Sequence, residues 1–557
     1  MENKIFTKAS TPYIIFAVLG LFLYFQSLFF DFTYLDDNVL ILRNAYLLDS
    51  FANFFELFKS DVFNSAQGMA SYYRPILNVS FMFDYQLGGI SPFIYHFSNV
   101  ILHILSVSLV YIFLQKLNVR KDLSFIFSLF FLIHPALSQA VSWIPGRNDT
   151  LLAVFLLSTF IVYLKYLDSK KWSHLLYALI FFTLSIFTKE SALVILPLIF
   201  IYVFFVRRDD FKKISNYYFF LPTGVLSVIW FGMRASALKN SPPIILGDLF
   251  ASVINNFPAL IQLFGKVFLP FNLSVLPIMR DTTFIYGIIS IVLFSLFMYF
   301  GKVTDWRKVI FGAIWFVVLL IPTFVRPNPN LPADFIEHRL YLPMVGLLIV
   351  LAQITWIRKF DFKNRYAVAI LAVILITFGT INFTHSKYFA DKLAFWNNAA
   401  ENSPSYPLAR RNLGAMEYLE GNFEKAEDEF KTALVLNPNE PMANNNLGLI
   451  YFRQGKFEDA LDQYMKELEI NPLYDDAHFN LALLYYQTER FAEAEEYWQK
   501  TLMINPNHVE ALSSLLTHHY ERAEYQKAIV YAEELFRRGY QIPQEMIETF
   551  TEELKLN

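Results

Sequence analysis

The 557-residue chain is 55% hydrophobic and 18% aromatic, and only 17% of it is charged, against about 25% in ordinary soluble domains. Its net charge of −3 gives a nucleic-acid partner no electrostatic support. It has no cysteine, which excludes disulfides and thiolate metal sites and leaves the redox compartment open. The charge deficit is uneven, because residues 1–385 form a series of apolar runs while 388–557 are ordinary in charge. This pattern predicts an all-α protein: a polytopic membrane bundle over 1–387, a linker at 388–404 and a soluble helical repeat domain over 405–557.

Lys4 and Lys8 precede an apolar stretch from Tyr13 to Phe30 that has no small-residue cleavage pattern after it, so a retained first helix is expected. With about 20 apolar residues needed per crossing, about eleven spans follow. They fall at 12–30, 93–115, 122–141, 149–167, 173–188, 190–206, 216–234, 283–300, 309–325, 339–357 and 366–384. The long first outer loop, 31–92, has amphipathic stretches at Phe51–Phe58 and Ile76–Leu87 that are expected on the membrane surface. The stretch 246–278 is apolar but broken by Pro258, Lys266, Pro270 and Pro277. It reads as interfacial or re-entrant, because a lysine and prolines fit poorly in a lipid-facing helix.

Basic residues in short loops set orientation. The loops around Lys4/Lys8, Lys116/Arg120/Lys121, Lys165/Lys170/Lys171, Arg207/Arg208/Lys212/Lys213, Lys302/Arg307/Lys308 and Arg358/Lys359/Lys363/Arg365 all fall on one side of this span set. That side is expected in the cytoplasm, with the C-terminal repeats outside. A bacterial inner membrane is favoured and the endoplasmic reticulum is the alternative. The opposite side holds Asp31, Asp36, Asp37, Arg74, His134, Arg147, Asp149, Lys189, Glu190, Asp334, Glu337, His338 and Arg339, many of them near helix ends. Ionisable groups at membrane depth imply a polar cavity or mutual pairing.

After residue 405 the chain repeats. Asn437-Pro438, Asn471-Pro472 and Asn505-Pro506 are 34 residues apart, as are Leu413, Leu447, Leu481 and Leu515, and Ala426, Ala460, Ala494 and Ala528. This is the tetratricopeptide-repeat (TPR) signature. The fourth unit has Leu516 where the others have Gly414, Gly448 and Ala482, and it lacks the Asn-Pro, as a capping unit would. A polypeptide acceptor bound in the concave groove is the functional expectation, and a spacer or oligomerisation arm is the alternative.

Tyr34-Leu35-Asp36-Asp37 follows the first span, and two adjacent carboxylates raise one another's pKa so that one can act as a base. Further along stand Tyr73-Arg74-Pro75, His134-Pro135, Ile144-Pro145-Gly146-Arg147-Asn148-Asp149, Lys189-Glu190, and Glu337 with Leu340-Tyr341-Leu342-Pro343. In this order, and followed by the repeats, the combination resembles the transmembrane and tetratricopeptide-repeat-containing proteins and related protein O-mannosyltransferases of the GT-C superfamily. Two positions depart from that pattern: Gln139 stands where the family usually has Glu, and His338 intervenes between Glu337 and Arg339.

The resemblance implies a glycosyltransferase that takes a sugar, mannose in the first instance, from a polyprenyl-phosphate carrier in the bilayer. The sugar passes to Ser or Thr hydroxyls of an exported polypeptide. It implies Asp36 as base and Asp37 as its partner or acceptor clamp. Arg147 and Arg74 would be phosphate-binding cations, and Asp149, His134, Lys189, Glu190, Glu337, His338, Arg339 and Tyr341 would complete the cavity. A divalent metal is compatible with such chemistry, but no residue pattern indicates one. Transfer to a lipid or cell-wall glycan, or a non-catalytic membrane scaffold, stand as alternatives.

Overall fold

The computed structural model describes residues 8–64, 72–238, 246–325, 334–335 and 337–556. They form helices joined by short turns, with two isolated bridging pairs, Ile278 with Asp334 and Val303 with Ile354, as the extended contacts. The chain divides into two compact units, Met1–Ser403 and Pro404–Asn557.

In the first unit a helix lies on each expected span, but the helices are shorter than a continuous eleven-span reading requires. Among the described residues five are long and apolar enough to cross a membrane: Pro92–Lys116, Ile144–Ser169, Ile214–Ala237, Trp306–Phe324 and Arg365–Phe389. A bent pair, Lys121–Ile133 with Pro135–Ser142, turns by 60° and would make a sixth. Thr11–Leu23, Trp172–Thr188, Glu190–Phe205, Ala259–Phe268 and Ile285–Gly301 are apolar but shorter. Several of the breaks fall at a proline or a charged pair, as at His134-Pro135 and Lys189-Glu190. Proline removes a backbone donor and clashes with the preceding turn, and an ionic side chain is cheapest where the helix ends near water.

Lys266 is not lipid-facing. The stretch that holds it folds as two helices, Leu246–Asn256 and Ala259–Phe268, broken at Pro258, and Lys266 is buried against Glu337. At Gly265 a Cβ would lie 2.6 Å from the Gly287 backbone nitrogen, so the helices Ala259–Phe268 and Ile285–Gly301 meet backbone to backbone. The first outer loop builds a small core from Phe32, Leu40, Ile41, Leu57, Leu77 and Phe81, joined by Tyr95 and Ile144 of the body. It leaves Phe51, Phe55, Phe83 and Leu87 exposed.

The segment expected as a linker, 388–404, folds into the body. It carries the helix Lys392–Asn402, whose Phe395, Trp396 and Ala399 are fully buried. With Phe389 and Ala400 also buried, the apolar residues of this short run made burial more favourable than exposure.

The basic loops meet one another at one end of the unit. Arg120 donates to the carbonyl of Arg358 at 2.5 Å, Lys308 to that of Leu117 at 2.9 Å, and Arg207 pairs with Asp168 at 2.9 Å. Asp168 and Asp149 lie at opposite ends of the helix Arg147–Ser169, about 30 Å apart at 1.5 Å per residue. The candidate site is at the Asp149 end.

The second unit is a TPR array of helix pairs: Pro407–Leu419 with Phe423–Leu436, Ala443–Arg453 with Phe457–Ile470, Asp475–Gln487 with Phe491–Ile504, and Val509–Glu521 with Tyr525–Arg537, followed by Gln544–Leu556. The repeated alanines Ala426, Ala460, Ala494 and Ala528 are fully buried. At Gly448 a Cβ would lie 2.6 Å from the Tyr464 ring, which is why the position is small. The turn inside each pair needs a left-handed residue: Gly421 (φ 81°), Gly455 (φ 73°), Glu489 (φ 60°) and Ala523 (φ 57°) recur at that position. The last two lack glycine and carry strain.

Candidate active site

The acidic loop is held by a framework the sequence did not announce. The Asp37 carboxylate accepts from the Thr33 backbone N–H (2.7 Å), the Thr33 hydroxyl (2.9 Å) and the Asn38 N–H (3.0 Å). Thr33 is pinned in turn: Trp143 Nε1 donates to its hydroxyl and Trp396 Nε1 to its carbonyl, each at 3.0 Å. Tyr34 adopts φ 59°, a conformation disfavoured for a side chain of that size. Asp37 is therefore the cap and clasp of the loop. Its oxygens are occupied internally, so it does not reach out as an acceptor clamp.

The loop presents Asp36, which is partly exposed. Among the described residues no hydrogen bond or ion pair reaches its carboxylate. Its pKa is pushed up to about 7, first by desolvation and then by the like charge of Asp37, against the pull of Arg74 and Arg339. An unengaged carboxylate poised near neutrality is what general-base catalysis requires. Burial raises the Asp37 carboxyl as well, despite its donated hydrogen bonds.

Around Asp36 the helix ends contribute an interlocked charge cluster. Arg74, just before the helix Pro75–Gly88, forks onto Glu190 with Nη2 at 2.6 Å and Nε at 3.1 Å, and stacks over Tyr72 at 4.4 Å. Lys189 binds both oxygens of Asp149 at 2.8 and 2.9 Å. His338 brings Nε2 to 3.5 Å from the same Asp149 and packs on Trp143. Burial and the cations Lys189, Arg339 and Arg74 hold the His338 imidazole well below its ordinary pKa, so it is neutral. Arg339 donates to the Asp334 carbonyl at 3.0 Å and meets its carboxylate at 3.2 Å. Five segments distant in sequence thus converge: 36, 74, 149, 189–190 and 334–339.

The other expected site residues go elsewhere. Arg147 is 1% exposed and fully spent: it pairs with Asp84 at 2.5 Å, donates to Asn99 Oδ1 and the Tyr95 carbonyl at 2.7 Å each, and lies over Phe81. It is not available to a phosphate. His134 Nε2 is 2.9 Å from the Val267 carbonyl and its Nδ1 accepts from Ala136 N–H, so it caps the 60° bend. Tyr341 is buried with its hydroxyl 2.6 Å from His103 Nδ1. Glu337 pairs with Lys266, accepts from Ser274 N–H at 2.9 Å, and lies 3.8 Å from His385. Gln139, where the family usually has Glu, donates to the Val275 carbonyl at 2.9 Å and accepts from His338 N–H at 3.2 Å. The amide thus serves two backbone groups that a lone carboxylate could not serve together, since only the amide offers a donor and an acceptor.

Sequence reasoning missed Thr33, Trp143, Trp396 and Asp84, each of which has a partner far away in the chain. Asp334, expected on this side, pairs locally with Arg339. A cleft of about 1000 Å³ lined by Lys116, Asp168, Arg207, Asp305 and Lys308 lies among the basic loops and shares no residue with this cluster. The groups of carboxylates and histidines arranged closely enough to ligate a metal lie, among the described residues, in the TPR unit.

Comparison with known proteins gives the class. Residues 83–232 match the family model for dolichyl-phosphate-mannose-protein mannosyltransferase, and 414–455, 448–489 and 475–508 match TPR models. The N-terminal unit is thus similar to protein mannosyltransferases over part of its length, and the C-terminal unit carries TPR repeats. The chain is similar to Protein O-mannosyl-transferase tmtc2 of Xenopus laevis, 30% identical over 41% of this chain and 29% of that protein. It is also similar to Protein O-mannosyl-transferase TMTC2 of Homo sapiens, 29% identical over 41% of this chain and 30% of that protein. Human Protein O-mannosyl-transferase TMTC3 aligns over 74% of this chain and 50% of its own length at 23% identity. The matched region is therefore half or less of each relative.

Proposed function

We propose that this protein transfers a hexose, mannose in the first instance, from a polyprenyl-phosphate carrier to Ser or Thr hydroxyls of polypeptides on the outer side of the membrane. The observation that carries the reading is Asp36: a partly exposed carboxylate, raised to about 7 and without a partner among the described residues, at the edge of a cation-rich cluster. In the reaction the acceptor oxygen bonds to the anomeric carbon while its proton passes to Asp36. The bond from that carbon to the phosphate oxygen breaks, and the electron pair leaves with the polyprenyl phosphate. The leaving phosphate needs positive charge. Arg339 and the outward edge of Arg74 supply it, since both lie within electrostatic reach of Asp36 and guanidinium matches phosphate geometry. Lys189 is held by Asp149 and adds field without direct contact. The TPR groove presents the acceptor polypeptide.

The gathering of basic loops at the end opposite the site supports an inside N-terminus and an outside C-terminus. A reporter fused after Asn557 should be active only outside the cytoplasm.

The deciding experiment is transfer by the purified protein in lipid nanodiscs, using polyprenyl-phosphate mannose and Ser/Thr-containing peptides. Mannosylated peptide from wild type and none from Asp36→Asn supports the reading. Lipid-linked product without peptide product moves the acceptor to a glycan. Equal glycoproteomes of cells with and without the gene would favour the scaffold.

A further inference from the structure

Glu495, on the helix Phe491–Ile504, faces His518 and His519 on the next helix, Val509–Glu521. His519 Nε2 lies 3.6 Å from one Glu495 oxygen and His518 Nε2 lies 3.8 Å from the other. The three ligating atoms are all within 4.8 Å of one another. Both imidazoles are buried, while Glu495 is 27% exposed.

The far side of His519 sets its chemistry. Its Nδ1 is 2.9 Å from Glu524 Oε2, and Glu524 is itself held by Lys527 at 2.9 Å. A carboxylate against one ring nitrogen keeps the proton there and turns the other nitrogen into a lone-pair donor. That nitrogen, Nε2, is buried without a hydrogen-bond partner and points at the Glu495 carboxylate, which also has only lone pairs to offer. Two acceptors facing each other in a buried site are unfavourable unless a cation lies between them.

We propose that Glu495, His518 and His519 bind a divalent transition metal, zinc being the best suited, at the junction of the third and fourth repeats. Two imidazoles and a carboxylate are a fitting donor set. Tetrahedral bonds of about 2.0–2.1 Å place ligand atoms about 3.3 Å from one another, and the three donor atoms, all within 4.8 Å of one another, reach that spacing by side-chain adjustment. Glu524 is the outer carboxylate that orients the ligand histidine, and water completes the coordination on the exposed side of Glu495. The consequence is structural. The fourth unit carries Leu516 at the small-residue position, strained Ala523 in its turn and no Asn-Pro, and the metal ties this divergent cap to the array.

The test uses the full-length protein in detergent with a purification tag that contains no histidine. It is stripped with chelator, dialysed at micromolar free zinc and analysed by elemental mass spectrometry, with cobalt(II) absorption as a second probe. About one equivalent should be retained, a tetrahedral cobalt band should appear, and zinc should raise the unfolding temperature of the repeats. Glu495→Gln, which preserves shape, should lose all three responses, and Glu524→Gln should weaken binding about 10- to 100-fold. Wild type that retains less than a tenth of an equivalent overturns the proposal and makes His519 an imidazolium bridging two carboxylates. Metal retained in full by Glu495→Gln, or lost instead in His508→Ala, which disrupts the neighbouring Asp475/Asp476/His508 group, also overturns it.

Discussion

Arg74 and Arg147 make the most instructive pair in the molecule. Both stand at the start of a helix in the membrane body, and both read from the sequence as phosphate-binding cations. In the structure Arg147 is enclosed: Asp84, Asn99 and the Tyr95 carbonyl take its donors and Phe81 covers its face. Arg74 spends two donors on Glu190, and its charge acts on Asp36. An arginine serves chemistry only if the fold leaves some of its donors unspent. The number already engaged separates a cation with donors to spare from one sealed into the packing.

The contrast can be broken at several points. Asp36→Asn, on the open side, should reduce transfer by about 10²–10⁴-fold with insertion and melting unchanged, as loss of a general base does. Activity within a few-fold of wild type at equal expression would remove Asp36 from the mechanism. On the sealed side, Arg147→Ala leaves Asp84 buried and unpaired and should cost about 3–5 kcal/mol. The measurement is thermal unfolding in detergent, and a stable protein with selectively weakened donor use would restore Arg147 to the phosphate site.

The pH dependence gives a finer test. Asp36 must be ionised to accept a proton, and its pKa is raised to about 7, so the active form is lost as pH falls through 7. The rate should decline about tenfold per unit below that point. A rate flat from pH 5 to 8 would mean an ordinary carboxylate. Asp37→Asn keeps the loop's shape but turns accepted hydrogen bonds into mismatches, and should cost about 1–3 kcal/mol of local stability. Its effect on transfer should be smaller than that of Asp36→Asn. The smallest effect belongs to the repeats, where Glu489→Gly relieves a left-handed residue and should stabilise by about 1 kcal/mol. A lower melting temperature for that variant would show that Glu489 contributes contacts worth more than its strain.

The sequence alone determined the helical class, the repeat array and its register, and the helix ends at which charge would gather. These are local properties. A 34-residue period needs only nearest-neighbour packing, and hydropathy needs only the low polarity of the bilayer core. It did not disclose that 388–404 packs into the body, because Trp396 meets Thr33 across most of the chain. Nor did it assign partners. Arg147 meets Asp84, Lys266 meets Glu337, and Asp37 turns inward onto Thr33, while Asp36 has no partner among the described residues. Only the tertiary structure decided these, because whether a charge is spent or available depends on which donors and acceptors the packed helices bring within about 3 Å, and no spacing along the chain encodes that distance.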